Sequence, residues 1–191
     1  PVDLQFGPDG ALYVVDWYNP IINHGERALR DPRRDHTHGR IWRITYNGRK
    51  LLQPTDLTRL TMDQLLDQLK VYEDRVRYRA RMQLREFSED KVLPVVEKWI
   101  GNLNANDKNF EQNKLEALWV YQQFNHPNEK LLNELLKAKD DHVRTAATRV
   151  LFYWNDKIKD SEDKLILMSK DTSERVRLQA IIGLSHFNSP K

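Results

Sequence analysis

The sequence predicts a mostly α-helical protein, an α-solenoid of about four helix pairs preceded by a small antiparallel β-sheet. Two observations lead to this fold class. A Val-Arg-x-x-Ala-x-x-x-Leu spacing recurs along the last two thirds of the chain, and short β-branched and aromatic runs separated by Gly and Pro fill the first 46 residues. Charged residues make up 31% of the chain, which suits a thin solenoid with much of its surface in water.

The repeated spacing is the main evidence for the helical part. Its three strong copies are Val76, Arg77, Ala80, Leu84; Val143, Arg144, Ala147, Leu151; and Val176, Arg177, Ala180, Leu184. A weaker copy reads Asn113, Lys114, Ala117, Tyr121, so successive copies start 37, 30 and 33 residues apart. A period in the thirties on helical sequence is typical of solenoids. Positions i, i+4 and i+8 share one side of a helix, so each copy presents one stripe to its neighbour.

The alanine and the arginine of each copy have separate expected roles. The small alanine allows two helices to approach closely, and the arginine is expected to hydrogen-bond an acidic group or carbonyl ends on the adjoining repeat. An acidic residue precedes the valine by two places in the strong copies, at Asp74, Asp141 and Glu174. The pattern Asp-x-Val-Arg-x-x-Ala-x-x-x-Leu resembles HEAT repeats. The alternative is one irregular helical bundle whose stripes agree by chance, which four agreements disfavour.

The first 46 residues are predicted to form three antiparallel strands. Val2, Leu4 and Phe6 alternate with polar residues, the period of a half-buried strand. The segments 11–17 and 40–46 are rich in β-branched and aromatic residues, and the first of them is apolar on both faces, as expected of a central strand. Between the first two strands, 7–10 reads Gly-Pro-Asp-Gly and predicts a tight turn.

A linker at 47–60 separates this sheet from the helices, which we expect to occupy 61–191. Asn47-Gly48 marks a turn in the linker, and Pro54 disfavours helix before it. Thr61 with Gln64 predicts a capping box at the first helix. The first helices of the four pairs are expected near 61–70, 90–102, 128–138 and 161–169, and the second helices near 74–87, 109–124, 141–154 and 173–187. Trp99, Trp119 and Trp154 fall on apolar stripes and are expected to pack in the core or between repeats rather than to form a ligand platform.

The N-terminal segment also resembles a known family. It reads P-V-D-L-x-F-G-P-D-G-A-L-Y-V-x-D-W-Y-N and then R-D-x-T-H-G-R-I-W-R-I, and this is similar to the closing C-terminal blade of a β-propeller. The family is that of membrane-bound dehydrogenases related to glucose and sorbosone dehydrogenases, in which HEAT repeats and often a haem-c domain follow the propeller. The resemblance implies a fragment of a longer periplasmic or extracellular oxidoreductase, an expectation that also fits a chain opening on Pro1.

The same resemblance implies the cofactors and partners of the parent protein. A PQQ-like quinone and a c-type haem are expected there, whereas no cofactor is expected in this segment. The expected partners are the rest of the propeller upstream, and a haem-c domain or a protein partner of the solenoid. The segment has no cysteine and ends before any Cys-x-x-Cys-His haem motif.

One loop gathers the candidate site residues, although no catalytic residue is assigned. They are Asp16, Asn19, His24, Asp35, His36, His38 and Arg40. Loops between propeller strands meet at the faces of the disc, where ligand sites form. His36 and His38 would point the same way on extended backbone, which suits a metal or a proton shuttle. The favoured interpretation is that these residues tie the loop down by hydrogen bonds and ion pairs, and no metal site is assigned.

The composition of the chain and the absence of known motifs from its sequence argue against several other classes of function. No phosphate-binding glycine loop, serine-hydrolase elbow or zinc-protease motif occurs. No apolar run reaches the ~20 residues that span a bilayer, so no membrane insertion by this segment is expected. Lys and Arg total 31 against 28 Asp and Glu, and the charges are interspersed. We therefore expect no nucleic-acid binding, which leaves a fragment of a dehydrogenase-like protein with a scaffolding solenoid, or a purely protein-binding scaffold.

Overall fold

The computed structural model describes residues 2–18, 21, 28 and 30–187. It confirms the predicted fold class, a mostly α-helical chain preceded by a small antiparallel sheet. The chain divides into two compact units, Pro1–Asp56 and Leu57–Lys191. No helix among the described residues is long and apolar enough to cross a membrane.

The sheet of the first unit has three strands in the order β1-β2-β3: β1 (Asp3–Phe6), β2 (Leu12–Asp16) and β3 (Arg40–Ile44). Both pairings are antiparallel, and β2 is central as its sequence predicts. The turn between β1 and β2 closes with a hydrogen bond from the Gly7 amide to the Ala11 carbonyl at 2.9 Å. Gly10 has φ = 77°, the left-handed conformation that favours glycine at this place.

Both faces of this sheet carry exposed apolar side chains. Leu4, Val14 and Trp42 pair across the strands and share one face. Phe6, Leu12 and Ile44 lie in register on that same face, and the Phe6 side chain is 60% exposed. Val15 and Ile41 are exposed on the other face. Three strands bury too little apolar surface to cover either face themselves.

The second unit contains eight α-helices within the described residues: α1 (Met62–Asp67), α2 (Asp74–Leu84), α3 (Glu89–Gly101), α4 (Phe110–Gln123), α5 (Glu129–Leu135), α6 (Asp141–Tyr153), α7 (Ser161–Met168) and α8 (Glu174–Leu184). Short 3₁₀ turns at Leu57–Arg59 and Gln68–Lys70 flank α1. The predicted capping box is present, with the Thr61 hydroxyl accepting from the Gln64 amide and the Gln64 side chain accepting from the Thr61 amide.

Helix positions agree with the periodicity, and the differences lie at helix ends. The second helix of the first pair is predicted to reach residue 87, but α2 ends at Leu84. The amides of Arg85, Glu86 and Phe87 each donate to the carbonyl three residues earlier, which tightens the last turn beyond α-helical geometry. The 3₁₀ turn at Leu57–Arg59 falls inside the predicted linker, and Leu57 is buried, so the helical unit starts a few residues earlier than the boundary predicted at 61.

The core of the second unit lies between successive helices. Each of the pairs α1/α2, α3/α4, α5/α6 and α7/α8 packs internally, and α4 and α8 both pack against α6. Ala80, Ala117, Ala147 and Ala180, the alanines of the repeated spacing, are all completely buried. Trp99 and Trp154 are buried as predicted, whereas Trp119 is only partly buried.

Candidate functional site

Asp35 is the centre of the predicted loop site. Its carboxylate accepts from the Thr37 amide at 2.9 Å, from the Thr37 hydroxyl at 2.9 Å, from the His38 amide at 3.1 Å and from His38 Nδ1 at 2.8 Å. These donors, the Thr37 amide first, lower the pKa of Asp35 to about 2. All of these partners lie within three residues of Asp35, so the carboxylate shapes its own loop.

Arg40 and Asp16 join the same region through aromatic side chains. The Arg40 guanidinium lies 3.7 Å from the ring centroid of Tyr18 and 4.9 Å from that of Trp42. Asp16 is the strand partner of Arg40 and accepts a hydrogen bond from Trp42 Nε1 at 3.3 Å, which lowers the pKa of Asp16. Tyr18 was not among the predicted residues, yet it lines a shallow cleft of about 330 Å³ with Asp35, His38 and Arg40.

The remaining loop predictions divide into two groups. Residues 36–37 form a bend, so the extended backbone that would align His36 with His38 is not present. His36 is exposed and does not line the cleft. Asn19 and His24 lie outside the described residues. The contacts among the described residues match the interpretation in which these side chains hold the loop in place.

A second cluster of possible metal ligands was not predicted. Asp140, Asp141 and His142 bring one ligand atom each within 4.8 Å of one another at the start of α6. Each acidic side chain already has a local role. Asp140 caps α6 by accepting from the His142 amide at 2.8 Å, and Asp141 accepts from the Ser173 hydroxyl at 2.7 Å.

The arginine of each strong repeat copy makes the same pair of backbone contacts. Arg77 Nη1 donates to the carbonyls of Val71 and Tyr72, and Arg144 Nη1 donates to those of Ala138 and Lys139. Arg177 likewise donates to the carbonyls five and six residues before it. Each arginine thus donates hydrogen bonds to carbonyls of the turn that precedes its own helix. The predicted alternative, carbonyl ends of the neighbouring repeat, is not the acceptor.

Three basic residues of the repeated spacing, two arginines and one lysine, also form an ion pair with an acidic residue of the next helix pair. Arg77 bonds Glu116 on α4 at 2.9 Å, and Arg144 bonds Asp171, just before α8, at 2.9 Å. Lys114 of the weaker copy pairs with Glu134 on α5. Glu116 is completely buried, and its second oxygen accepts from Arg81. These ion pairs agree with the predicted contact to an acidic group on the adjoining repeat.

Side chains of the second helices line a groove. It has a volume of about 600 Å³, and its walls come from α4, α6 and α8. Aromatic and aliphatic side chains form much of its surface, including Trp119, Tyr153, Leu178 and Ile182. Tyr153 is 55% exposed and Leu178 is 60% exposed, so large apolar groups stand in water along the groove.

A smaller cleft extends the groove to α2. Tyr78, Arg81 and Met82 of α2 line it, together with Trp119 and Gln122, which also belong to the larger groove. The Arg81 guanidinium lies 5.2 Å from the ring centroid of Trp119. The two concavities therefore form one surface across all four second helices, which we call the groove from here on.

The repeated spacing contains the signal that would have located the groove. The residue two places after each motif alanine lines it: Met82, Trp119, Arg149 and Ile182. Two residues correspond to about 200° around a helix, so these positions lie opposite the buried alanines. Trp119 packs against the core, within the prediction of core or inter-repeat packing, and it also lines the groove, which its apolar stripe alone does not indicate.

Comparison with known proteins gives one match. Residues 1–48 match the family model of DUF7133, a domain of unknown function. This segment contains the whole three-stranded sheet and the loop with the predicted site residues. No curated protein and no solved structure matches the chain.

Proposed function

We propose that the helical unit is a protein-binding module whose groove holds a polypeptide segment of a partner. The observation that carries this proposal is the row of aromatic and aliphatic side chains along four successive second helices, which are exposed on α2, α6 and α8 and partly buried at Trp119 on α4. Scattered exposed apolar residues need no explanation, but a contiguous apolar surface in a groove is typical of an interaction site. Large aromatic side chains also supply much of the binding energy in protein interfaces.

The shape of the groove favours a polypeptide over a small molecule. Packed helices lie about 8–10 Å apart, so the surface that crosses α4, α6 and α8 extends roughly 16–20 Å, and the cleft lined by α2 lengthens it further. Small-molecule sites usually enclose most of their ligand in one cavity. The groove is instead long, and its walls include the exposed side chains Tyr78, Met82 and Tyr153. A glycan would use the aromatic rings but would leave the aliphatic Met82, Leu178 and Ile182 without apolar contacts.

The test is a selection of peptides from a random display library on the whole chain, followed by affinity measurements by fluorescence anisotropy. Tyr153→Ala should weaken the selected peptides by roughly tenfold or more, a loss typical of an aromatic anchor. Tyr72→Ala is the matched control, since Tyr72 is fully exposed and does not line the groove. Equal affinities for the two variants would remove the groove as the binding site.

A second proposal concerns the protein to which the sheet belongs. The sheet would be the last blade of a β-propeller in a dehydrogenase-like protein, with a PQQ-like quinone in the propeller and a c-type haem in a separate domain. Support comes from the exposed apolar faces of the sheet and from its edges, since β1 and β3 each pair only with β2 within the described residues. A blade in a propeller has such faces covered by its neighbours.

This second proposal predicts the coding sequence on either side of the segment. Further copies of the blade pattern upstream and a Cys-x-x-Cys-His motif downstream would support it. An upstream sequence without strand repeats would contradict it. The chain by itself should show no turnover of glucose with added quinone and an artificial electron acceptor, because a propeller site is assembled from loops of several blades. Turnover above that of a heat-denatured control would show that one blade suffices.

A further inference from the structure

We infer that the occupant of the groove is an acidic, extended segment in which carboxylates alternate with apolar side chains. This inference rests on the proposed protein-binding function and names the chemical class of the partner. It depends on the sign of the charges along the groove, their spacing, and the apolar residues between them.

The groove is positive in a chain whose charges otherwise nearly balance. Arg81, His142, Arg149 and Arg175 line it, and no Asp or Glu is among its described lining residues. The whole chain has a formal net charge of only +3. The excess of basic groups in the groove is therefore local. Matched charge of this kind steers association and excludes partners of the wrong sign.

The four basic residues do not contribute equally. Arg81 shares the buried Glu116 with Arg77, and His142 Nδ1 lies 3.3 Å from Asp140 and 3.2 Å from Asp141. Arg149 and Arg175 are both exposed, and the structure gives neither of them an ion-pair partner among the described residues. These two guanidiniums are consequently the charges most available to carboxylates of the partner, and Arg149 is the one that lies in the row of Met82, Trp119 and Ile182.

The neighbours of Arg149 fix the pattern around that carboxylate. Met82, Trp119, Arg149 and Ile182 occupy the same register on α2, α4, α6 and α8, so a segment crossing the helices meets two apolar groups, one cation and another apolar group. Helices 8–10 Å apart correspond to about three residues of extended chain at ~3.3 Å each. The fitting segment therefore places apolar, aromatic or acidic anchors about every third residue, with Asp or Glu opposite Arg149.

A single-stranded nucleic acid is the competing occupant, because aromatic rings and arginines also bind stacked bases and phosphates. Phosphate binding needs a run of cations that follows the backbone. The groove has only two exposed arginines without an ion-pair partner among the described residues, Arg149 and Arg175, and its lining also includes Trp119, Leu178 and Ile182, so it offers no such run. The arrangement favours the acidic polypeptide, and the nucleic acid is one of the outcomes that the experiment separates.

The experiment starts from twelve-residue peptides selected from a random display library on the whole chain. The expected result is enrichment of Asp and Glu about three residues from an aliphatic or aromatic residue. Arg149→Glu should weaken the selected peptides by tenfold or more, and replacing the critical Asp or Glu of a peptide by Lys should restore its binding to that variant. Lys137→Glu is the matched control, an exposed charge reversal outside the groove, and should change the affinity less than twofold.

The outcomes distinguish the two proposals. Neutral or basic peptides that still need Tyr153 would overturn the acidic partner and leave the protein-binding function intact. Peptides that bind equally to Tyr153→Ala would remove the groove and both proposals with it. Displacement of a selected peptide by a twelve-nucleotide oligo(dT) at similar concentration would assign the groove to nucleic acid and overturn the inference. If the Lys-substituted peptide does not bind the Arg149→Glu variant, the acidic residue of the peptide contacts a group other than Arg149. That result would contradict the assigned register.

Discussion

Arg144 and Asp171 form a bidentate ion pair that joins α6 to the turn before α8. Arg144 Nε donates to one oxygen of Asp171 and Nη2 to the other, both at 2.9 Å, while Nη1 binds two carbonyls of the preceding turn. Both side chains are largely shielded from water, with 13% and 10% exposed. The arginine lowers the pKa of Asp171. One side chain thus connects its own helix pair to the next.

Breaking this pair should destabilise the helical unit. Arg144→Met should lower the free energy of unfolding by about 3 kcal/mol, because it removes the cation from a shielded carboxylate, which keeps the Ser173 amide as a donor, and leaves two carbonyls without their donor. The pKa of Asp171 should rise toward its ordinary range in the same variant. Chemical denaturation measures the first effect and an NMR titration the second. Arg149→Met, an exposed arginine on the same helix, is the control and should change stability by less than about 0.5 kcal/mol.

Ala147 tests the close approach of α6 to its neighbours. The side chain is completely buried, and α6 packs on both α4 and α8. Ala147→Leu should lower the free energy of unfolding by about 1–3 kcal/mol, because the added methyl groups have no space in the seam. Ala146→Leu adds the same atoms on the groove side and should cost clearly less. A melting temperature unchanged by Ala147→Leu would show that this position does not lie at a seam.

Asp35 gives the first unit a pH dependence at low pH. Its pKa in the folded chain is about 2, against an ordinary value of 3.8. Between these two values the unfolded chain binds more protons, so stability rises with pH in this window. The contribution is complete above pH ~4 and is lost as pH falls through about 2. A carbon-13 titration of the Asp35 carboxyl carbon should have its midpoint near the lower value, and a midpoint near 4 would contradict the hydrogen bonds to Thr37 and His38.

The sheet and the helices should differ in hydrogen exchange. Exposed apolar faces and unpaired edges leave the strand amides of β1 and β3 with little protection, whereas the amides of α6 lie in a packed unit. Amides of Asp3–Phe6 and Arg40–Ile44 should exchange well before those of Asp141–Tyr153, measured by mass spectrometry on the purified chain. Sedimentation at several concentrations controls for pairing between molecules. Equal protection of both segments in a demonstrated monomer would contradict this expectation.

Local chemistry explains which parts of the fold the sequence predicts well. The turn with Gly10 and the capping box at Thr61 act over a few residues, so their structures agree with the predictions. The alternation around Leu4 correctly predicts a strand, but the half-buried face that it also predicts is exposed, because nothing within the described residues covers it. The buried alanines follow from a spacing that repeats four times. The order of the three strands was also predictable, because only the central strand is apolar on both faces.

The candidate site was harder to predict because its signals are not local. Tyr18 joins the loop residues through the Arg40 guanidinium, a contact between residues that are far apart in sequence. His36 and His38 were paired on the assumption of extended backbone, and the bend between them follows from the hydrogen bonds of Asp35. The groove appears only when four helices are placed side by side, since Trp119 alone reads as a core residue.

The opposite placement of the motif alanines and the groove residues has a consequence for variation. Ala147 is held to a small size by the helices on either side, whereas Arg149, two positions later, faces outward. Mutations at Met82, Arg149 and Ile182 can therefore accumulate with little effect on how the helices stack, whereas Trp119 also packs against the core. Three of the four helix pairs contribute one such replaceable position, so the preference for a partner can be rewritten one helix at a time while the scaffold stays the same.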